Sequence, residues 1–317
     1  MSQAFSHNRN SIIISNSFNR TAGDDESKIL TWLSPLEPQV RHQDIRNERV
    51  DSIGEWLLET QEFRSWYSGW EKCRSDHAAL FCYGDPGVGK SYIRCERPSG
   101  RSKQTTLLLT GCDDSSVVVD YLCNQAMERE DMAVACFYYD FASRADQSPT
   151  NMLGSLLKQL LSALEAIPEE IVQKFQRQKK VIGGRGLQLP DVVKMFPTIS
   201  SLQRIFICVD ALDECIPKYR LDVLDALGQI LRSLANTRVF MTGRSHIREA
   251  VERELGGRVI SVSIKSRDDD IVTYLRVRLK KDTAPKVMDS GLEDDIMKSI
   301  PREVPETYVG VGSRKPS

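Results

Sequence analysis

Five short apolar runs punctuate the chain, and the segments between them repeat their apolar residues at helical spacing. The runs Ala78–Tyr83, Met132–Phe141, Arg204–Asp210, Arg238–Gly243 and Val259–Ile264 each predict a strand. Arg204–Asp210 is continuous rather than alternating, as expected of a strand with helices on both faces. A helix is predicted from Arg46 to about Lys72, with Val50, Ile53, Trp56 and Leu57 followed by Phe63, Trp66 and Trp70. Tryptophans so spaced are read as core. A second helix spans Asn151–Leu164, with Met152, Leu153, Leu156, Leu157, Leu160, Leu161 and Leu164 on one face. Further helices are predicted near Pro190 after the glycine-rich break Gly183–Gly186, over Tyr219–Leu234, through Leu255, and from about Asp268. Strands alternating with helices of this length predict a parallel α/β sheet, although the pattern does not give the strand order.

Residues 1–28 are polar and Ser/Asn-rich, and a disordered leader is expected there. The short run Ile12–Ile14 leaves open a competing reading, a strand that pairs with another chain. The 43 basic and 44 acidic residues nearly cancel, so neither nucleic acid nor an anionic membrane surface is expected as a partner. Eight cysteines contain no C-x-x-C pair, and Cys82, Cys136 and Cys208 fall inside apolar runs as small buried hydrophobes. A reducing, cytoplasmic setting fits that usage. No apolar stretch reaches about 18 residues, so no membrane span is expected. Four scattered histidines give no zinc-ligand spacing.

The chemistry concentrates at the end of the first run. Gly84-Asp85-Pro86-Gly87-Val88-Gly89-Lys90-Ser91 is a complete phosphate-binding loop directly after a buried strand. Its glycines let successive N–H groups converge on phosphate oxygens. Lys90 would reach the β/γ-phosphates, the Ser91 hydroxyl would hold Mg²⁺, and Tyr92 closes the nucleotide-binding set. The bland reading is a Gly-Pro turn after a strand. Asp210, at the end of another apolar strand, is placed to hold Mg²⁺ through its water shell. Asp213 and Glu214 follow, where an acid can orient or deprotonate an attacking water; the competing reading makes these acids caps and helix-dipole partners. Arg244 follows the Met241–Gly243 run, where a guanidinium could meet a γ-phosphate; an ordinary surface arginine competes equally.

The set Gly84–Ser91, Phe206–Glu214 and Met241–Arg244 resembles the NACHT class of STAND NTPases. The upstream blocks Ile29–Leu36 and Gly54–Leu58 look like the fungal, nephrocystin-like version of that class, so the likeness covers roughly Ile29 to Val309. It implies a P-loop NTPase three-layer α/β sandwich with a mainly parallel five-stranded sheet of order 5-1-4-3-2. It also implies a helical lead-in over 29–77, the NTPase domain over 78–265 and the start of a helical module over 266–317. ATP or GTP with Mg²⁺ would work an oligomerisation switch in the cytoplasm, with self-association or signalling proteins as partners and slow hydrolysis at most. By the resemblance Lys90 and Ser91 bind phosphate and Mg²⁺, Asp210 is the Walker B acid, Asp213 and Glu214 are the following acids, and Arg244 matches the sensor position.

Three departures modify that expectation. Residues 95–114 interrupt the helix that should continue from Ser91, and Pro98 and Gly100 would break it. Deleting them joins S-Y-I-R to S-S-V-V-V-D-Y-L-C, which predicts a retained intron or faulty gene model, with a true insertion as the alternative. The sequence ends in G-V-G-S-R-K-P-S, so a truncated module is expected, without the family's winged-helix histidine. No effector or repeat domain is recognised. Two other functions stay open: a vestigial or binding-only module, and a small-molecule kinase, for which Arg177 and Arg185 form no recognisable lid motif.

Overall fold

The apolar runs become the strands of one sheet. The computed structural model describes residues 24–50, 52–69, 77–84, 114–129, 131–180, 186–265 and 267–281. Strands β1 (Ala79–Gly84), β2 (Met132–Tyr138), β3 (Arg204–Asp210), β4 (Thr237–Arg244) and β5 (Val259–Ser263) lie in the order β2-β3-β4-β1-β5. This is the expected 5-1-4-3-2 read from the other edge. All four pairings are parallel.

Alternate residues of the strands serve two cores, as the pleat requires. On one face Phe81, Ala135, Ile205, Ile207, Val239 and Met241 meet the apolar stripe of α6 (Pro149–Leu161) and α9 (Pro217–Ser233), with α10 (Arg248–Leu255) beside them. On the other, Leu80, Cys82, Phe206, Cys208 and Phe240 meet α4 (Gln61–Ser68) and α5 (Asp114–Glu128). Trp66 of α4 is fully buried, edge-on to Phe206 at 5.5 Å, and its indole N–H donates to the Ala78 carbonyl at 3.3 Å. That is the core role expected of it. Cys82, Cys136 and Cys208 are buried as expected, and burial pushes the Cys136 and Cys208 thiols up, away from reactive thiolate.

The helix expected over Arg46–Lys72 is corrected. Helix α2 (Pro38–Glu48) starts earlier with proline in its first turn, and it stops at Arg49, which is extended. Ser52 (φ 69°) and Gly54 (φ 79°) then take left-handed conformations that no helix carries through. A single turn, α3 (Trp56–Glu59), leads to Thr60, whose extended backbone breaks the chain and whose hydroxyl accepts from Phe63 N–H to start α4. Trp70 lies outside the described residues.

Helix α1 (Asp24–Leu33) begins inside the stretch expected to be leader, and residues 1–23, with Ile12–Ile14, lie outside the described residues. Strand β2 ends at Tyr138, short of the expected Phe141, because Asp140 accepts from Ala142 N–H and starts a 3-10 turn. Helix α7 (Glu169–Lys179) was not predicted. It carries Phe175 edge-on to Trp32 of α1 at 5.5 Å, and Gln178, which accepts from the Trp32 indole at 2.9 Å. Short α8 (Leu189–Val193) starts at the expected Pro190 region, and α11 (Asp268–Lys281) at Asp268.

Two polar or close contacts seat the lead-in helices. Where α1 ends, Ser34 donates to the Asn151 carbonyl at 2.8 Å, and Gly154 of α6 lets the Leu33 carbonyl approach where a Cβ would stand. Helix α2 is joined to α5 and β2 through Asp120. His42, Arg46 and Arg49 converge on its carboxylate, and the other His42 nitrogen meets the Tyr138 hydroxyl at 2.7 Å.

Candidate functional site

Parallel strands deliver their C-terminal ends to one edge of the sheet, and ligands bind where connections diverge there. β1 is such a point: it lies between β4 and β5, while the chain leaves it for β2 at the far edge. Of the phosphate-binding loop only Gly84 is described, aligned with Arg244 of β4. Asp85, Pro86, Gly87, Val88, Gly89, Lys90, Ser91 and Tyr92 lie outside the described residues, so the sheet shows where the loop departs. Asp210 ends β3, the next strand out. The register sets it level with Thr242, two residues short of the Gly84–Arg244 pair, with β4 between.

Asp210 is buried and reaches toward β4, its Oδ1 accepting from the Thr242 hydroxyl at 2.5 Å. The same hydroxyl accepts from Ala211 N–H at 3.0 Å, so Thr242 fixes both the acid and the residue after it. Thr242 was missed by sequence reasoning, although it sits within the run containing Arg244; a polar residue near the end of an apolar strand is its only signal.

Ala211 takes a left-handed conformation (φ 53°, ψ 44°), which costs a residue with a Cβ about 1 kcal/mol. That turn swings the chain into the 3-10 segment Leu212–Glu214 and sends the two following acids to different neighbours. Asp213 faces β4. Its Oδ1 accepts from Arg244 N–H at 3.1 Å and its Oδ2 lies 3.0 Å from Arg244 Nε. Glu214 faces the loop after β2, where its Oε2 accepts from Phe141 N–H at 3.0 Å. Arg144 donates to the Glu214 carbonyl at 2.7 Å and stacks 4.0 Å over the exposed Phe141 ring. Helix α9 begins at Pro217 without a side-chain cap, so none of the three acids caps it.

Burial raises the proton affinity of Glu214, the neighbouring Asp213 charge adds to it, and the Phe141 N–H opposes it. The folded state therefore binds more protons at this site than the unfolded chain, and stability falls as pH rises above the ordinary glutamate value of 4.5. Glu214→Gln keeps an acceptor for Phe141 N–H and removes that cost. The variant is expected to melt higher than the wild type at pH 7 and to lose the advantage at pH 4. Equal midpoints at pH 7 would contradict it.

The sequence model described as "Nephrocystin 3, N-terminal" matches residues 52–96 and 114–244, more than half of the chain. The chain belongs to that family. The segments of this nephrocystin 3 N-terminal chain that match contain Gly84–Ser91, Asp210–Glu214 and Arg244, and residues 97–113 fall between them. No curated protein matches the chain significantly.

Similar solved structures include the Walker-type ATPase of Pyrococcus abyssi, at 17% identity and TM-score 0.39, covering 76% of this chain and 61% of that one. Another is the Aeropyrum pernix ORC1 protein in complex with DNA, at 16% identity and TM-score 0.44, covering 87% and 58%. A third is Drosophila ORC bound to DNA and Cdc6, at 11% identity and TM-score 0.37, covering 89% and 37%. The nephrocystin 3 N-terminal chain thus spans about three fifths of the first two. Its P-loop NTPase fold rests on the strand order and parallel register.

The expectation of no nucleic-acid partner, which rests on net charge, is corrected: two of these similar structures are complexes with DNA. Local charge, not its sum over the chain, decides such contacts, so the near-balance is no ground for exclusion. Among the described residues, no helix is long and apolar enough to cross a membrane.

Proposed function

We propose that this chain is the nucleotide-binding module of a STAND-type NTPase of the NACHT class, taking ATP or GTP with Mg²⁺ and hydrolysing it slowly. The observation that carries the reading is that Gly84, Arg244 and Asp210 stand at the C-terminal ends of three neighbouring strands, where a complete phosphate-loop sequence begins. Hard oxygen donors suit Mg²⁺, and the Asp210 carboxylate beside the Thr242 hydroxyl fits that chemistry. Among the described residues no three His, Cys, Asp or Glu side chains converge on a metal. Asp210 and Ser91 would therefore share the ion with phosphate oxygens and water. When bound, it would neutralise phosphate charge.

Of the two following acids, Glu214 is the better general base, because burial and the neighbouring Asp213 charge raise its proton affinity. Triphosphate would favour self-association and diphosphate the closed form, with different contacts in the two states. A cytoplasmic setting accords with five free cysteines among the described residues. The gap in the family match at 97–113 supports reading the 95–114 stretch as foreign to the module, whether a retained intron, a faulty gene model or a true insertion.

The test is the thermal unfolding midpoint with Mg-ATP, Mg-GTP and Mg-ADP, beside Lys90→Ala. Ligand at a hundredfold its Kd should stabilise the wild type by about 2.7 kcal/mol, and the variant should lose that shift. A cooperatively folded protein that shifts with none of them would replace this reading with the vestigial one. For a kinase, Arg177 sits on α7 against α1, and Arg185 lies outside the described residues.

A further inference from the structure

Asp213 spends both carboxylate oxygens on a single residue. Oδ1 takes the backbone N–H of Arg244 and Oδ2 its guanidinium Nε, at 3.1 and 3.0 Å. The two partners differ in freedom. The Asp213 side chain is 8% exposed and that of Arg244 is 46% exposed. The turn carrying Asp213 is also braced from below, since Arg220 donates to the Asp213 and Cys215 carbonyls at 2.8 and 3.0 Å. The acid is therefore the fixed part and the arginine side chain the movable one. Because the backbone N–H bond does not involve the guanidinium, Arg244 can swing away without releasing Asp213. A half-exposed ion pair is weak enough to be exchanged for another anion.

We propose that Asp213 is a positioning residue that restrains Arg244 in the nucleotide-free protein, so that a γ-phosphate must compete with it for the guanidinium. Asp213 thereby sets how strongly the site prefers triphosphate over diphosphate, and it lowers that preference. This rests on the reading of the strand ends as a nucleotide site.

The experiment measures affinities of the full chain for Mg-ADP and the imido analogue of ATP, and the corresponding guanine pair. Asp213→Asn keeps an acceptor for Arg244 N–H and removes the charge. It is expected to tighten triphosphate binding on the order of tenfold relative to diphosphate. Arg244→Ala should weaken triphosphate binding selectively, and Asp213→Asn should add nothing in that background. An unchanged ratio in Asp213→Asn, a lowered one, or an effect that survives Arg244→Ala would overturn the proposal while leaving the nucleotide site standing. Failure of the wild type to bind any of the four nucleotides would overturn both.

Discussion

Asp120→Ala is expected to destabilise the protein by about 3–5 kcal/mol, the cost of removing one partner from a buried ion pair. The Asp120 side chain is 7% exposed and its carboxylate lies 2.5 Å from Arg49 Nη1, 3.5 Å from Arg46 Nε and 3.3 Å from His42 Nε2. Truncation leaves these groups facing one another in a site built around a negative charge. His42, equally buried, keeps only the Tyr138 hydroxyl. The damage crosses three elements, because the node joins α2, α5 and the end of β2. Asp120→Asn, which preserves volume and an acceptor, should cost less. Denaturant midpoints of the two variants check this. A loss below 1 kcal/mol for the alanine variant would mean that water screens the node as it does a surface pair.

Gly154→Ala is expected to cost about 1–3 kcal/mol, although alanine is the better helix former by about 1 kcal/mol. The added Cβ would stand 2.1 Å from the Leu33 carbonyl oxygen and 3.0 Å from its carbon. Backbone cannot turn aside as a side-chain tip can, so α1 must lift from α6. That exposes Ile29 and Leu33, both buried, and pulls Trp32 from Gln178 and Phe175. Thermal midpoints of Gly154→Ala, Trp32→Ala and the double variant test the cause. If α1 has already lifted, Trp32→Ala adds little to Gly154→Ala. Full additivity would place the strain elsewhere.

The strands were legible because a run such as Ile205–Val209 is short, unbroken and rich in β-branched and aromatic residues, as suits a strand with helices on both faces. Their order was not in that pattern; it came with the family likeness, and the sheet bears it out. The lead-in was misread for a local reason. Val50, Ile53, Trp56 and Leu57 keep helical spacing straight through Ser52 and Gly54, and tertiary packing overrides that period with left-handed residues. Helix α7 escaped notice because Glu169–Lys179 buries only Ile171 fully, a thin stripe in a charged segment.

At the candidate site, the sequence singles out Asp210, Asp213, Glu214 and Arg244 but does not tell their pairing. Spacing places Asp213 and Glu214 side by side, whereas the left-handed Ala211 parts them toward Arg244 and Phe141. The Thr242–Asp210 contact crosses strands, and the bonds of Phe141 and Arg144 to Glu214 cross loops, so no local pattern announces them.

The placement of β1 bears on when the module can be made. Ala79 pairs on one side with Val239 and on the other with Val259. As the ribosome extends the chain, β1 emerges with neither neighbour yet synthesised, while β2 and β3 can already pair. Contacts this distant in sequence form slowly and leave strand edges open in the meantime. The phosphate-loop sequence follows β1 directly and is therefore translated before either strand that flanks β1. Until β4 and β5 have followed it out of the ribosome, β1 has both edges open to wrong partners.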